Sequence, residues 1–246
     1  MKAMIFAAGK GTRLKPLTDT TPKALVKVNG VPMLERVIRK LIQAGVDEII
    51  INTHHFAHQI TEFLRTKNNF KIRIEISHEK DGLLDTGGGL KKASWFFSGD
   101  QPFFLYNVDI LSNIDLQKML RYHQESHALA TLAVRKRDSG RYFLFKTENQ
   151  QLCGWENIKT KQIINYAPLE KSKKYAFSGI HLLNPDLFRW MPAEKSFSII
   201  DTYLNLCNNQ TIKAYLHPQD FWFDIGTTEK LMNAESFLKN HFLNNQ

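Results

Sequence analysis

Short apolar runs take turns with amphipathic stretches through the first half of this chain, and that alternation limits the fold more than any other feature. Residues 3 to 8, Ala-Met-Ile-Phe-Ala-Ala, are continuously apolar and stop at Gly9, as in a strand buried on both faces that ends in a loop. Residues 33 to 44 place Leu34, Val37, Ile38, Leu41 and Ile42 on one helical face, and Gly45 supplies the stop. Glu48 to Asn52 predicts a second strand, Gln59 to Leu64 a second helix and Ile72 to Ile76 a third strand. A helix from the cluster Gly87-Gly88-Gly89 to about Phe97 precedes the apolar strand Phe103 to Val108, which closes on Asp109. The pattern predicts an α/β fold: a Rossmann-like three-layer α/β/α arrangement with a mostly parallel, mixed central sheet.

From about Ala128 the texture changes to a β-rich lobe, with strands expected at 128–135, 141–147, 151–155 and 163–166. Apolar strands return at 177–183 and 221–225, with helices at 199–206 and 228–242. No linker or repeat interrupts 1–246, so one domain is expected, with a first half to about 127 and a second from about 128. A 246-residue chain that is 43% hydrophobic can bury its own core, and 13 Gly with 8 Pro exclude collagen-like or disordered classes. Cys153 and Cys207 make neither a disulfide framework nor a metal motif, which suits buried thiols in a reducing cytoplasm. The apolar start, Met1 to Gly9, is too short for a signal peptide, and no run approaches a membrane span. The net charge of +9 is dispersed, which fits polyanionic small molecules better than nucleic acid.

The segment Ala7-Ala8-Gly9-Lys10-Gly11-Thr12-Arg13-Leu14 is the richest in chemistry. Glycines just past a strand let backbone N–H groups approach phosphate oxygens. The dinucleotide fingerprint fails because Leu14 stands where its third glycine belongs, and the Walker A spacing fails as well. What remains is a glycine turn with Arg13, a planar fork for phosphate, and Lys23, a movable point charge, or simply a tight turn with two exposed cations. Asp109 and Asp224 each close an apolar strand, where they either cap the following turn or face a ligand crevice and hold Mg²⁺. Three consecutive glycines imply that something flat or close needs the space, a nucleobase or ribose being one candidate and a tight helix start the other. His54, His55 and His58 lack the glutamate of a zinc protease motif and are read as structural. Trp155, Trp190 and Trp222 are read as core or rim.

Together these segments resemble the sugar-1-phosphate nucleotidyltransferases, the nucleoside-diphosphate-sugar pyrophosphorylases. The likeness is carried by Phe6 to Thr18, Pro22-Lys23-Ala24-Leu25, the turn Asn29-Gly30 and Thr86 to Gly89. It continues through Asn107-Val108-Asp109, Phe177-Ser178-Gly179-Ile180 and Trp222 to Thr227. The resemblance implies a nucleotide-binding half at about 1–127 and a sugar-binding half at about 128–246. It implies that Ala8, Gly9, Gly11, Thr12 and Gly88 hold the nucleotide, and that Arg13 and Lys23 act at the reacting phosphates. Asn107, Glu156 and Gly179 would meet the sugar phosphate, while Asp109 and Asp224 would hold Mg²⁺. The family's Glu-Lys-Pro motif is altered here to Glu156-Asn157-Ile158, so its lysine would be replaced by Lys159 or Lys161.

The compact length resembles the short bacterial members that act on N-acetylmuramate 1-phosphate, mannose 1-phosphate or heptose phosphates, as a monomer or small homo-oligomer without an appended β-helix. The implied partners are a nucleoside triphosphate and a sugar 1-phosphate, with neither nucleic acid nor membrane. Two other readings compete: a cytidylyltransferase for phosphocholine or another alcohol phosphate, and a non-catalytic regulatory relative, which would be expected to lose Arg13 or the aspartates.

Overall fold

The computed structural model describes residues 1–243. The chain forms two compact units that interleave in sequence: residues 1–83, 106–114 and 221 onward make the first, residues 84–105 and 115–220 the second. The division therefore falls at four places along the chain.

In the first unit, strands Lys2–Phe6, Glu48–Thr53 and Arg73–His78 run parallel, with Ala3 opposite Ile49 and Ile5 opposite Ile51, then Ile49 opposite Ile74 and Ile51 opposite Ile76. Ile49, Ile50 and Ile51 are fully buried, which accounts for the unbroken apolar run. The first crossover carries helix Met33–Gln43, whose buried residues Met33, Leu34, Val37, Ile38 and Leu41 recur at helical spacing. Gly45, at φ +93°, ends that helix in the left-handed region. The second crossover carries helix Ala57–Thr66.

Away from these parallel strands, Ile110–Ser112 pairs antiparallel with Trp222–Asp224. Helix Thr228–Leu243 then lays Leu231, Ala234 and Leu238 onto a cluster of Leu14, Val26, Val28, Met33, Leu111 and Ile225. Two members of this cluster, Leu14 and Ile225, are chain neighbours of Arg13 and Asp224, so its packing anchors the backbone that carries both charged side chains.

The second unit is built on six strands in the order Gln162–Asn165, Leu152–Asn157, Arg141–Lys146, Ser172–Leu183, Ala130–Arg135 and Ile212–Leu216. All pairs are antiparallel except the last, which is parallel. The long strand Ser172–Leu183 bonds Arg141–Lys146 with its first half and Ala130–Arg135 with its second. Its register shifts between Phe177 and His181, where Gly179 sits at φ +76°. A glycine is what a bulge of this hand needs. Helices Asp85–Lys92, Leu116–Glu125 and Ile199–Leu206 complete this unit.

The α/β class with a mixed sheet and helix-flanked parallel strands is therefore as the alternation predicts. Four local expectations are corrected. The first strand ends at Phe6 rather than residue 8, because the Ala7 N–H leaves the ladder for the Asn52 side chain. The strand expected at 177–183 begins at Ser172. Helix Leu116–Glu125 and strand Ile212–Leu216 lie in stretches that the sequence pattern leaves without an element.

Candidate active site

The glycine turn is shaped by three local constraints. Gly11 has φ +66°, and a Cβ there would stand 3.0 Å from Thr18 Cγ2 and 3.1 Å from Lys23 Cβ. Thr18 Oγ1 donates to Gly11 O at 2.9 Å, and Leu14 N–H donates to the same oxygen at 2.8 Å. A short 3₁₀ turn, Thr12–Leu14, results. With Leu14 fully buried beneath it, Thr12 and Arg13 are turned out and exposed. Ala7 and Ala8 are buried, whereas a Cβ on Gly9 would meet nothing within 4 Å. Packing within the chain therefore gives Gly9 no reason to be glycine.

Lys23 lies in the turn Lys23–Leu25 that follows Pro22, and its Nζ donates to Asp109 Oδ2 in a part-buried ion pair. Asp109 follows strand Phe103–Asn107, and the next strand of its ribbon brings Asp224 alongside: Asp224 stands opposite Ile110, and Ile225 N–H donates to Asp109 O at 2.8 Å. Asp224 thus arrives on a two-stranded antiparallel ribbon rather than at the end of a parallel strand, yet reaches the neighbourhood of Asp109 that the sequence predicts. Its Oδ2 accepts from Lys230 Nζ at 2.7 Å. Its Oδ1 is buried with no hydrogen-bond partner.

Gly226 leaves room for both the Arg13 guanidinium and this carboxylate on the side where a Cβ would stand. A Cβ at Gly226 would stand 2.6 Å from Asp224 Oδ1 and 3.1 Å from an Arg13 Nη. Any other residue would displace one of the two. The first unit thus gathers Arg13, Lys23, Asp109 and Asp224, and adds Lys230, which nothing in the sequence singles out because it stands one turn into a helix that its partner precedes. Three cations beside two carboxylates leave a surplus of positive charge where a polyanion is expected.

Among the described residues no group of three or more His, Cys, Asp and Glu side chains converges to hold a metal. A site of two carboxylates, one with an orphaned oxygen, is nevertheless what Mg²⁺ uses when substrate phosphates and water complete its shell. The donor set fits Mg²⁺ and lacks the nitrogen and sulfur ligands that zinc favours. Asn107 ends strand Phe103–Asn107 in the same unit, half-buried.

Gly88, Glu156 and Gly179 belong to the second unit. The glycine cluster there has a close neighbour of its own. A Cβ on Gly88 would meet Lys195 O at 2.1 Å, one on Gly87 would meet the Phe197 ring at 2.3 Å, and the N–H groups of both donate to Phe197 O at 3.3 and 2.9 Å. Segment 195–197 therefore lies against Gly87 and Gly88 on the side where a Cβ would stand.

Glu156 Oε2 accepts from Lys174 Nζ at 3.3 Å, and the same ammonium lies 5.0 Å from the centre of the Tyr142 ring. Lys159 and Lys161 occupy the turn beyond Asn157, whose Oδ1 accepts from Lys159 N–H at 3.1 Å. The cation paired with Glu156 is Lys174, one strand away, which linear spacing to Glu156 does not reveal. Near Gly179, Ser178 Oγ and His217 Nε2 are 2.7 Å apart and both residues are buried. His54 Nδ1 meets Glu79 O at 2.7 Å, in keeping with a structural histidine. Cys153 and Cys207 are buried free thiols, and burial raises the Cys207 thiol to about 11. Trp190 is 52% exposed.

This constellation sits in a chain that a family profile matches almost throughout. The profile described as Nucleotidyl transferase covers residues 2–241, and the chain belongs to that family. It is 28% identical over 236 residues to the N-acetylmuramate alpha-1-phosphate uridylyltransferase of Neisseria meningitidis serogroup B, covering 96% of this chain and 97% of the relative. It is 30% identical over 233 residues to mannose-1-phosphate guanylyltransferase 1 of Arabidopsis thaliana, covering 92% of this chain but 61% of that longer protein. A solved UDP-glucose pyrophosphorylase complexed with UDP-glucose superposes with a TM-score of 0.76 at 18% identity, over 98% of each chain, which shows the shared fold. Among the described residues no helix is long and apolar enough to cross a membrane.

Proposed function

We propose that this enzyme transfers a nucleotidyl group from a nucleoside triphosphate to a sugar 1-phosphate in the cytoplasm, releasing pyrophosphate and a nucleoside-diphosphate sugar. The sugar phosphate oxygen is already anionic at neutral pH, so it needs no general base. It attacks the α-phosphorus in line, forming one P–O bond as the bond to the departing pyrophosphate breaks. The protein's work is to hold two polyanions together and to balance the charge that develops.

The turn from Ala8 to Thr12 presents its N–H groups to the triphosphate, with exposed Gly9 allowing close approach. Arg13, aimed past Gly226, takes the leaving pyrophosphate. Lys23 exchanges Asp109 for the reacting phosphates once substrate arrives. Asp109 and Asp224 would hold Mg²⁺, which supplies Lewis-acid stabilisation of phosphate oxygens when bound. Asn107, Glu156 and Gly179 are assigned to the sugar phosphate, with Lys174 replacing the motif lysine beside Glu156. Gly88, packed on one side against Lys195 to Phe197, is assigned to the base or ribose of the nucleotide.

The observation that carries this reading is that Arg13 and Asp224 both border the Cα of Gly226, with Asp109 hydrogen-bonded to Ile225 and paired with Lys23, in a chain of this family. A pyrophosphate-release screen of UTP, GTP, CTP and dTTP against N-acetylmuramate 1-phosphate, mannose 1-phosphate, glucose 1-phosphate and phosphocholine tests it. The expected result is turnover of a sugar phosphate with UTP or GTP. Turnover confined to CTP with phosphocholine would replace it by the alcohol-phosphate reading, and none with any pair by the regulatory one.

A further inference from the structure

The first unit contains a buried polar chain that takes no direct part in nucleotidyl transfer. Strands Lys2–Phe6, Glu48–Thr53 and Arg73–His78 are parallel and in register, so Ala7, His54 and Glu79 leave the sheet at adjacent carboxyl ends. Ligands of open α/β sheets bind beyond such ends. Ala7 N–H donates to Asn52 Oδ1 at 2.8 Å, and Asn52 Nδ2 donates to Glu79 Oε1 at 2.7 Å. Asn52 is 3% and Glu79 2% exposed. Glu79 is fastened in turn, since its N–H donates to Thr53 O at 2.8 Å and its carbonyl meets His54 Nδ1 at 2.7 Å.

The direction of each bond is forced by the groups available. A backbone N–H only donates, so Asn52 must present its oxygen to Ala7 and its NH₂ to whatever lies on the other side. A carboxylate offers acceptors and no donor, which locks the amide in that orientation. A glutamine in its place offers a donor as well as an acceptor, so that side no longer admits the Asn52 NH₂ alone and the amide is held less firmly toward Ala7. Ala7 is where the chain abandons strand Lys2–Phe6 and begins the glycine turn, so its peptide plane sets the direction taken by Ala8 to Gly11.

We infer that Glu79 and Asn52 are positioning residues for the phosphate-binding turn: Glu79 orients the Asn52 amide, and that amide fixes the Ala7 peptide. The ligand in this inference rests on the nucleotidyl-transfer reading, whereas its mechanics rest on the hydrogen bonds alone. The test compares wild type, Glu79→Gln, Asn52→Ala and the double variant, all full-length. Glu79→Gln preserves shape and volume, so it remains informative should Asn52→Ala fold poorly.

In the ligand-free protein, amide hydrogen exchange at Ala7 is expected to quicken roughly 10-fold in each variant, while Ile74 and Ile76 keep their wild-type rates. In steady state, KM for the nucleoside triphosphate rises roughly 10-fold and KM for the sugar 1-phosphate changes by less than about twofold. The double variant is no worse than Asn52→Ala, because the two side chains act in series. Unchanged Ala7 exchange in Glu79→Gln, an equal rise in both KM values, or additive effects in the double variant would overturn the inference. A wild type that turns over no nucleotide would remove the functional reading instead, with Ala7 exchange still deciding the relay.

Discussion

Glycines of similar appearance in the sequence do different work, and their neighbours tell them apart. Gly9 has open space where a Cβ would go, whereas Gly88 has Lys195 O at 2.1 Å. Gly9→Ala is expected to leave the thermal midpoint within about 2 °C of wild type and to raise KM for the nucleotide several-fold. Gly88→Ala is expected to destabilise by about 2–4 kcal/mol, read by denaturant unfolding, because backbone must move to admit the methyl. If Arg13 has the role proposed for it at the departing pyrophosphate, where additional negative charge develops in the transition state, Arg13→Ala is expected to lower kcat on the order of 100-fold with an unchanged melting curve.

The glycine turn with Arg13, and Asp109 closing an apolar run, are legible in the sequence because their cause is local. Lys174 beside Glu156, and Lys230 beside Asp224, are not. Those pairings depend on strand register and on the path into a helix, neither of which linear spacing encodes.

At the scale of elements, helix Thr228–Leu243 holds the site from beneath. Leu231 and Leu238 pack into the same cluster as Leu14 and Ile225, one residue from Arg13 and Asp224. Leu238→Ala is expected to lower stability by about 2–5 kcal/mol in chemical denaturation and to reduce turnover at temperatures where the protein remains folded. The elements that periodicity identifies are those with an apolar face of ordinary length, such as Met33–Gln43. Helix Leu116–Glu125 escapes because its buried face is Leu116, Met119 and a histidine, His123. Strand Ile212–Leu216 escapes because its buried residues are only Ile212 and Ala214. The first strand stops early because a side chain from its neighbour, Asn52, captures the next N–H, a tertiary event with no local signal.

For the whole molecule, three buried histidines make stability depend on pH. Burial depresses His181, whose Nδ1 lies 2.7 Å from the Tyr203 hydroxyl, to about 3. Burial also lowers His123 to about 4, and burial with Arg135 and Arg137 nearby lowers His217 to about 4. These groups stay neutral in the folded chain but take up protons on unfolding below the ordinary value of 6.5. Their stabilisation is therefore complete above pH 6.5 and is lost as pH falls toward 4, by up to about 3 kcal/mol for each. Melting temperature measured from pH 7 to 4 should fall steeply, and His123→Gln should flatten that slope.

The most direct test of the central claim, that Asp109 and Asp224 beside Arg13 and Lys23 form a centre for nucleotidyl transfer, is pyrophosphate release by Asp109→Ala and Asp224→Ala with the best substrate pair and Mg²⁺. Both variants are expected to keep the wild-type circular dichroism spectrum and to lose turnover. Full activity in either would contradict the assignment of the metal-binding carboxylates, and with it the proposed way in which the chain works.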